Sequence, residues 1–420
     1  MKVHFFHRMP YRFLPDDFRE KYRSVWVDVD SRLFDPAKGH QIYNENLDEL
    51  EYADSLGFDG ICVNEHHQNA YGLMPSPNLM AAALTRRTQN SAIVVLGNST
   101  ALYNPPTRVA EEFAMLDCLS GGRLVAGFPV GTPMDSTFCY GQVPATLREK
   151  YLEANELILQ AWTRPDVFSF NGKYTQLRYV NIWPRPIQKP HPPVWIPGGG
   201  SIETWEWVTQ KDFMYSYLSY FGHQRGLSVM KGFWDEVERQ GKEANPYRAG
   251  FLQFVAVSES DAQAEKDYAA HAEYFYNRCL HVHFGYADPP GYRTMRTVQA
   301  GLRSQLGTPA QAVAGELKWK DFVERGFILA GSPESVRQQL EEAAKALRVG
   351  HLMVLLQFGS MPPELVRKNT ELFAREVMPH VRHLWSEYED HWWIKPLPPE
   401  QRVSPQAVEE AVGVPAGGGS

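Results

Sequence analysis

Short apolar runs alternate with longer amphipathic stretches along most of the chain. The apolar runs have the length of buried strands and are bounded by turn residues, whereas the amphipathic stretches have the length of helices. This alternation is typical of βα units around a parallel sheet. Eight strands are predicted, which favours an α/β fold of the (β/α)8 TIM-barrel type with insertions. They cover residues 2–7, 58–63, 92–97, 124–128, 194–197, 213–217, 252–257 and 351–357.

Helices are predicted between these strands, and two of them carry start signals. Asp261 is the expected N-cap of one helix, and Ser332 with Pro333 opens another that runs to about Leu347. The remaining predicted helices cover residues 43–56, 78–88, 105–119, 145–162, 202–209, 226–239 and 362–377.

Two segments depart from the alternation and are interpreted as insertions within a single domain, residues 1–390. The first, at about 164–193, contains the turn pair Asn171-Gly172 between short alternating runs, which predicts a hairpin. The second, at about 280–325, is a candidate mobile lid. The tail, residues 391–420, has little to bury and is expected to be flexible or to contact a partner subunit.

Charge and cysteine content narrow the class of partner. The 42 Lys and Arg residues against 49 Asp and Glu residues give a net charge of −7 without a basic cluster, so neither nucleic acid nor a membrane is an expected partner. The four cysteines are far apart and form no C-x-x-C pair. Because the first residues form neither a signal peptide nor a membrane span, we expect a cytoplasmic protein that acts on a small molecule.

Candidate chemistry follows the second and third predicted strands, because the loops at the carboxyl ends of barrel strands carry the reactive groups. Asn64-Glu65-His66-His67 places two imidazoles beside a carboxylate, an arrangement suited to acid–base chemistry. A purely structural role, with a His capping the loop and the Glu pairing with an arginine, is equally open. The small polar residues Asn98, Ser99 and Thr100 would let a flat ligand approach the backbone, or simply form a tight turn.

Two Gly-rich turns follow the fourth and fifth predicted strands. Residues 127–132, G-F-P-V-G-T, come first, and residues 197–201, P-G-G-G-S, lead directly into a helix whose N-terminus could bind a phosphate. Neither turn is a P-loop or a complete dinucleotide fingerprint. His66-His67 and His281-x-His283 could supply imidazoles, but without an H-E-x-x-H helix no metal site is predicted.

One motif identifies a family. Residues 116–124, L-D-C-L-S-G-G-R-L, followed by Gly127 and Gly131, resemble the L-D-x-L-S-x-G-R signature of the bacterial luciferase-like family of flavin-dependent monooxygenases and related oxidoreductases. Residues 53–59, 65–67, 92–97 and 331–336 support the resemblance, which runs from about residue 2 to 380.

The resemblance implies a two-component monooxygenase. Such an enzyme takes reduced FMN (FMNH2) from a separate NAD(P)H:flavin reductase and activates O2 as a C4a-peroxyflavin. It then oxygenates a small organic substrate. The resemblance also implies a homodimer.

The resemblance also assigns roles to individual residues. His66 matches the catalytic histidine, and Glu65 is expected to orient its neighbours. Asn98 would lie along the flavin edge, and Ser99-Thr100 matches a non-prolyl cis peptide. The phosphate-binding turn corresponds to Gly199, Gly200, Ser201 and Ile202.

The sequence departs from luciferase at Val130, where luciferase has an arginine for the flavin phosphate, and at Gly198, where it has an acidic residue. Phosphate binding is therefore expected to use backbone amides, Thr132 or another side chain. Tyr140 is a further candidate flavin contact. Arg148 is another, although a surface ion pair within Arg148-Glu149-Lys150 is the favoured interpretation of that residue.

Two other functions stay open. An F420-dependent oxidoreductase of the same superfamily would exchange hydride with its substrate and need no oxygen. A flavin-binding protein without catalysis is the other alternative, and the presence of His66 argues against it.

Overall fold

A computed structural model describes residues 1–303 and 316–403. Eight parallel strands close into a barrel, because the first strand pairs with the last: Lys2 lies opposite His351. Helices surround the strands, so the (β/α)8 prediction is confirmed. In barrel order the strands are β1 (Lys2–Phe6), β2 (Gly60–Val63), β3 (Ala92–Leu96), β4 (Leu124–Gly127), β7 (Val194–Gly198), β8 (Met214–Tyr217), β9 (Ala249–Val257) and β11 (His351–Leu355).

The barrel strands are buried on both faces. All five residues of β3 and all nine of β9 are buried. A strand covered by helices outside and by packed side chains inside can be apolar at every position. Such strands appear in the sequence as continuous apolar runs, which is why all eight could be predicted.

A ninth strand, β10 (Ile328–Gly331), is absent from the sequence-based prediction. It pairs in parallel with the second half of β9, where Ile328 lies opposite Phe254, whereas the first half of β9 pairs with β8 and β11. Only four apolar residues precede the helix that starts at Pro333. So short a run carries no periodicity by which a strand can be recognised.

The helices begin close to their expected positions. Ser332 accepts a hydrogen bond from the backbone N–H of Ser335, as its predicted capping role requires. The prediction for Asp261 is wrong, because Ser260 caps that helix and Asp261 is its first residue. The α-helices are Phe18–Lys21, Pro36–Ser55, Pro77–Arg87, Thr107–Ser120, Pro144–Thr163, Ile202–Lys211, Gly222–Arg239, Asp261–Tyr274, Phe284–Ala287, Met295–Arg303, Trp319–Glu324, Pro333–Leu347, Pro363–Leu372 and Met378–Val381.

The described residues contain three short π-helical segments: Met134–Cys139, Phe275–Cys279 and Phe373–Val377. The last two directly continue the α-helices Asp261–Tyr274 and Pro363–Leu372. Such turns often occur at functional sites. The first of them lies in the loop after β4, at the rim of the barrel that carries the candidate site.

Both insertions contain regular structure. The antiparallel strands β5 (Phe168–Asn171) and β6 (Gln176–Val180) form a hairpin around the predicted Asn171-Gly172 turn. Part of the second insertion, residues 304–315, lies outside the described residues.

The start of the tail contacts the opposite end of the barrel. The indole Nε1 of Trp392 donates to the carbonyl of Asp212 at 2.8 Å, and its own carbonyl accepts from Trp195 at 3.1 Å. The backbone N–H of Leu397 donates to the carbonyl of Gly121 at 2.9 Å. Residues 404–420 of the predicted tail lie outside the described residues.

No helix in the described ranges combines the length and apolarity that crossing a membrane requires.

Candidate active site

The carboxyl ends of β1 to β4 meet at one rim of the barrel, where enzymes with this fold place their reactive groups. Arg8 follows β1, and Glu65 and His66 follow β2. Asn98 follows β3, and Asp135 lies in the loop after β4. Four strands thus gather side chains that are far apart in the sequence.

Asp135, His66 and Arg8 form a chain of hydrogen bonds across this rim. The Nδ1 atom of His66 lies 2.9 Å from Oδ2 of Asp135, and its Nε2 atom lies 2.9 Å from Nη1 of Arg8. Because a guanidinium group can only donate, Nε2 of His66 is the acceptor. The imidazole is therefore neutral, and its single proton lies on Nδ1 and is donated to Asp135.

The electrostatics of His66 agree with this assignment. Burial, assisted by the neighbouring Arg8 cation, lowers the pKa of His66 from 6.5 to about 4, although the Asp135 carboxylate acts in the opposite direction. Near neutral pH the side chain consequently carries no charge.

Asp135 is held by several donors besides His66. Its Oδ1 atom accepts from the indole of Trp26 at 3.0 Å and from the backbone N–H of His67 at 2.8 Å, and Oδ2 accepts from the hydroxyl of Thr132 at 3.0 Å. The residue is 2% exposed. The π-helical turn Met134–Cys139 carries this carboxylate. A buried carboxylate with this many donors is a rigid acceptor for the histidine proton.

Glu65 organises a second network beside the first. Its Oε1 atom accepts from Nε2 of His67 at 2.6 Å, and Oε2 accepts from the side-chain amide of Asn98 at 3.0 Å and the backbone N–H of Ser99 at 2.9 Å. The hydroxyl of Tyr140 lies 3.2 Å from Nδ1 of His67. Both oxygens of Glu65 are thus occupied inside the protein, as suits an orienting residue.

Aromatic rings surround His66. Trp26 stacks on Tyr71 with ring centroids 4.5 Å apart, and both rings meet the imidazole edge-on, at 4.8 and 5.0 Å. Tyr220 packs against Tyr71 at 5.9 Å. These side chains form an apolar wall that excludes water from the chain of hydrogen bonds.

A separate cluster occupies the start of the helix Ile202–Lys211. Arg148 donates to the hydroxyl of Ser201 at 3.0 Å and to that of Thr204 at 3.1 Å. The first N–H groups of a helix have no intrahelical acceptor, and the helix dipole favours an anion there. The surface ion-pair interpretation of Arg148 is therefore wrong, since this face of its helix packs against the Gly-rich turn.

The Gly-rich turn fits a phosphate-bearing cofactor. A Cβ atom placed on Gly199 meets no heavy atom of the described residues within 4 Å, so the turn leaves open space. Gly200 has a φ of +105°, which favours glycine.

At the rim, the side-chain oxygen of Asn98 is buried and has no partner in the described part of the chain. It is free to accept a hydrogen bond from a ligand N–H group.

The second insertion passes over the Gly-rich turn. The hydroxyl of Tyr292 donates to the carbonyl of Gly131, and the hydroxyls of Thr294 and Thr297 donate to Glu203 at 2.6 and 3.0 Å. These contacts hold the second insertion against both Gly-rich turns.

The structure brings most of the predicted site residues together. Glu65, Asn98, Ser99 and Tyr140 share one network, and His66 and Thr132 meet at Asp135. Gly199, Gly200, Ser201 and Ile202 form the separate turn beside Arg148. Thr100 turns away, and its hydroxyl accepts from Asn155 at 3.1 Å.

The cis peptide is not at Ser99-Thr100 but at Leu96-Gly97. Gly97, which directly follows β3, lies against Gly127 of β4, since a Cβ atom on Gly97 would be 1.9 Å from the carbonyl oxygen of Gly127. The two strands therefore approach each other most closely at Gly97, just ahead of the polar turn Asn98-Ser99-Thr100 in the sequence.

Sequence reasoning missed Arg8 and Asp135. Arg8 lies two residues beyond the end of β1, so its place after a barrel strand was an available signal. Asp135 carried no such signal, because only the π-helical turn directs its side chain back to the rim. In the described ranges no three His, Cys, Asp or Glu side chains are arranged to hold a metal ion.

A sequence model described as luciferase-like monooxygenase matches residues 29–349. The chain belongs to the luciferase-like monooxygenase family. It is accordingly an enzyme of the flavin-dependent monooxygenase class.

Two relatives in this family match over most of their length. The oxygenase component of flavin-dependent trigonelline monooxygenase from Acinetobacter baylyi is 30% identical, over 85% of this chain and 94% of that protein. 2,5-Diketocamphane 1,2-monooxygenase 1 from Pseudomonas putida is 25% identical, over 81% and 94%. An uncharacterized protein, y4wF, from Sinorhizobium fredii is 36% identical, but this chain spans only 44% of its length, and the match covers 37% of this chain.

Solved structures share the fold. Monooxygenase RslO1 from Streptomyces bottropensis has a TM-score of 0.68 at 19% identity, covering 90% of this chain and 99% of that chain. The oxygenating constituent of 3,6-diketocamphane monooxygenase from Pseudomonas putida, in complex with FMN, has a TM-score of 0.64 at 19% identity, over 90% and 98%. An F420-dependent secondary alcohol dehydrogenase has a TM-score of 0.59 at 17% identity, over 91% and 99%.

Proposed function

We propose that this chain is the oxygenase component of a two-component monooxygenase, which receives reduced FMN from a separate NAD(P)H:flavin reductase and oxygenates a small organic substrate. The observation that carries the proposal is the clamp of Arg148 on Ser201 and Thr204, at a helix N-terminus that lies beside the barrel rim. It supplies positive charge and free N–H groups for a flavin phosphate. The full-length similarity to an oxygenase component supports the same assignment.

The residues divide the work by position. Arg148, Ser201 and the Gly199-Gly200 backbone would hold the phosphate, and Asn98 would accept a hydrogen bond from the ring system. Bound reduced FMN supplies the electrons that activate dioxygen. The Glu65 network holds the Asn98 side chain that would contact the ring system.

His66 acts beside the cofactor as a neutral, oriented imidazole. Asp135 holds its Nδ1 proton, so only Nε2 can accept a further proton, and Arg8 occupies that lone pair in this structure. The Arg8 cation would stabilise negative charge that develops at the rim, and the wall of Trp26 and Tyr71 keeps water away from it.

Hydride transfer with F420 is the alternative, favoured by the F420-dependent secondary alcohol dehydrogenase of the same fold.

We also propose a homodimer and a cytoplasmic location, as the family resemblance and the sequence led us to expect. Size-exclusion chromatography with light scattering checks the dimer, and cell fractionation checks the location.

Isotope labelling tests the reaction. The protein is incubated under 18O2 with FMN, NADH, a flavin reductase and candidate substrates, beginning with trigonelline and 2,5-diketocamphane. One labelled oxygen atom in the product, absent without the chain or without FMN, is the expected result. Turnover with reduced F420 that needs no oxygen would contradict the proposal.

A further inference from the structure

Arg8 is a buried cation whose hydrogen bonds are incomplete. It is 1% exposed, and its Nη1 atom donates to the side-chain oxygen of Asn64 at 3.2 Å and to His66. Both partners are uncharged. Its Nε and Nη2 atoms are buried, with no partner in residues 1–303 and 316–403. Buried polar groups are almost always paired, so these free donors require an explanation.

The other buried arginines of the barrel show what a structural role looks like. Arg123, 3% exposed, uses Nε, Nη1 and Nη2 to bond carbonyl and hydroxyl oxygens around Ser120 and Thr88. Arg248, 5% exposed, pairs with the carboxylate of Asp212 at 2.7 Å. Arg8 has neither a ring of oxygens nor a carboxylate, so packing alone does not account for it.

The two free donors lie on one edge of the guanidinium. Nε–H and the nearer N–H of Nη2 point the same way, and this edge matches the two oxygens of a carboxylate. Tyr71 fixes the plane of the group, because its ring centre lies 3.6 Å from the Arg8 Cζ atom. A side chain at position 72 would crowd Nη2, since a Cβ atom on Gly72 would lie 3.3 Å from that nitrogen.

Aromatic rings pack near the Arg8 guanidinium. The ring centre of Tyr220 lies 5.4 Å from Cζ of Arg8, and Tyr71 also stacks on Trp26 and meets His66 edge-on. A flat ring can pack against such side chains. Arg8 therefore offers two donors that suit a carboxylate, and aromatic side chains lie beside it.

We propose that the Nε–Nη2 edge of Arg8 binds a carboxylate of the substrate, and that the substrate class is a small ring compound bearing a carboxylic acid. This assignment rests on the proposed function, since it takes the rim beside His66 as the place where substrate is oxygenated. A buried guanidinium without an anion is costly, and the substrate carboxylate offsets that cost only when it binds. The neutral analogue of such a compound cannot do so.

A matched pair of probes tests the proposal: benzoate, and its uncharged analogue benzamide. Binding of each to the FMN-saturated protein is measured by calorimetry and by tryptophan fluorescence, to which Trp26 contributes. The variants are Arg8→Gln, which removes the charge, and Arg8→Lys, which keeps the charge but loses the two-donor edge. Arg12→Gln is the control, because Arg12 lies in the same loop and pairs with Glu45.

We expect benzoate to bind the wild type and the Arg12→Gln variant at least about tenfold more tightly than benzamide, from the strength of a charge-assisted hydrogen bond. The preference should vanish in Arg8→Gln and shrink in Arg8→Lys. Equal binding of the two probes by the wild type, no benzoate binding, or a preference that survives in both Arg8 variants would overturn the proposal.

FMN titration of the same samples separates the two proposals. If FMN binds but the benzoate preference fails, the substrate class is wrong and the oxygenase assignment stands. If the Arg8 variants lose affinity for FMN but still prefer benzoate to benzamide, Arg8 binds the cofactor and not the substrate. That result also overturns the inference. If the wild type binds no FMN, the proposed function itself fails.

Discussion

At the scale of single residues, the site depends on which atom carries a proton. Arg8 can only donate, so it leaves His66 with an acceptor at Nε2, and the carboxylate of Asp135 holds the proton at Nδ1. The sequence indicated His66 and Glu65 because they directly follow a strand. It could not indicate Asp135, 69 residues beyond His66, since no spacing rule says which side chain of a loop turns inward.

The depressed pKa of His66 gives a pH-dependent stability. The folded-state pKa of about 4 lies below the ordinary value of 6.5, so between these values the unfolded chain takes up a proton that the folded chain refuses. The contribution of His66 is therefore complete above pH 6.5 and is lost as the pH falls towards 4. Urea unfolding at pH 7 and pH 5 should show a loss about 1–2 kcal/mol smaller in His66→Gln than in the wild type. Equal losses would refute the assignment.

We also expect His66 to control the fate of oxygen in the proposed reaction. In His66→Ala we expect flavin to bind normally, whereas the amount of product per FMNH2 falls and the release of hydrogen peroxide rises, because the oriented imidazole is gone. Product and peroxide are measured in the same assay. His40→Ala, on the exposed surface of the helix Pro36–Ser55, is the control and should match the wild type. Unchanged coupling in His66→Ala would remove this residue from the mechanism.

At the scale of elements, the strands were predictable because burial on both faces makes them continuous apolar runs. The four-residue β10 was too short to recognise. The Gly-rich turn before a helix was predictable from Gly199, Gly200 and Ser201, whereas Arg148 was only a candidate, and its contact with that turn was not predictable. Arg148 lies 53 residues earlier in the chain than Ser201. Only the packing of the two helices shows that the Arg148 side chain points towards Ser201.

Gly97 and Gly199 offer a matched pair of glycine substitutions. In Gly97→Ala the added methyl would collide with the carbonyl of Gly127, which is backbone and cannot move aside. We expect a loss of roughly 3 kcal/mol or more of unfolding free energy, or no soluble protein. Gly199→Ala meets open space and should melt within a few degrees of the wild type. Thermal melts followed by circular dichroism compare the two, and similar melting temperatures would argue against the close approach of β3 and β4.

In the whole molecule, the two ends of the barrel have different roles: one carries the candidate chemistry, and the other is covered by the C-terminal segment. Its carboxyl rim holds the candidate active site, whereas the segment after Met378 packs against the other end of the strands. The amino group of Met1 donates to the carbonyl of Arg382 at 2.8 Å, and Trp195 of β7 donates to Trp392. The sequence did not reveal this docking, since Pro-rich composition suggested only a tail with little to bury.

Trp392 tests this separation of roles. It is 6% exposed, so Trp392→Ala should cost about 3–5 kcal/mol of unfolding free energy while leaving FMN affinity within twofold of the wild type. Trp183→Ala is the control, because Trp183 is 81% exposed and its removal should change stability little. Denaturant unfolding and FMN titration are run on each variant. A large drop in FMN affinity with Trp392→Ala would contradict the division between the two ends.

We propose that reduced FMN binds with its phosphate at the Arg148 clamp, and an anaerobic titration tests this binding. FMNH2 and reduced F420 are titrated into the wild type, Arg148→Ala and the control Arg108→Ala, whose arginine pairs with Glu112 on the surface. We expect FMNH2 to bind more tightly than F420, and the affinity for FMNH2 to fall roughly tenfold to hundredfold in Arg148→Ala alone. Preference for F420, or the same FMNH2 affinity in all three proteins, would show that the clamp does not hold the flavin phosphate.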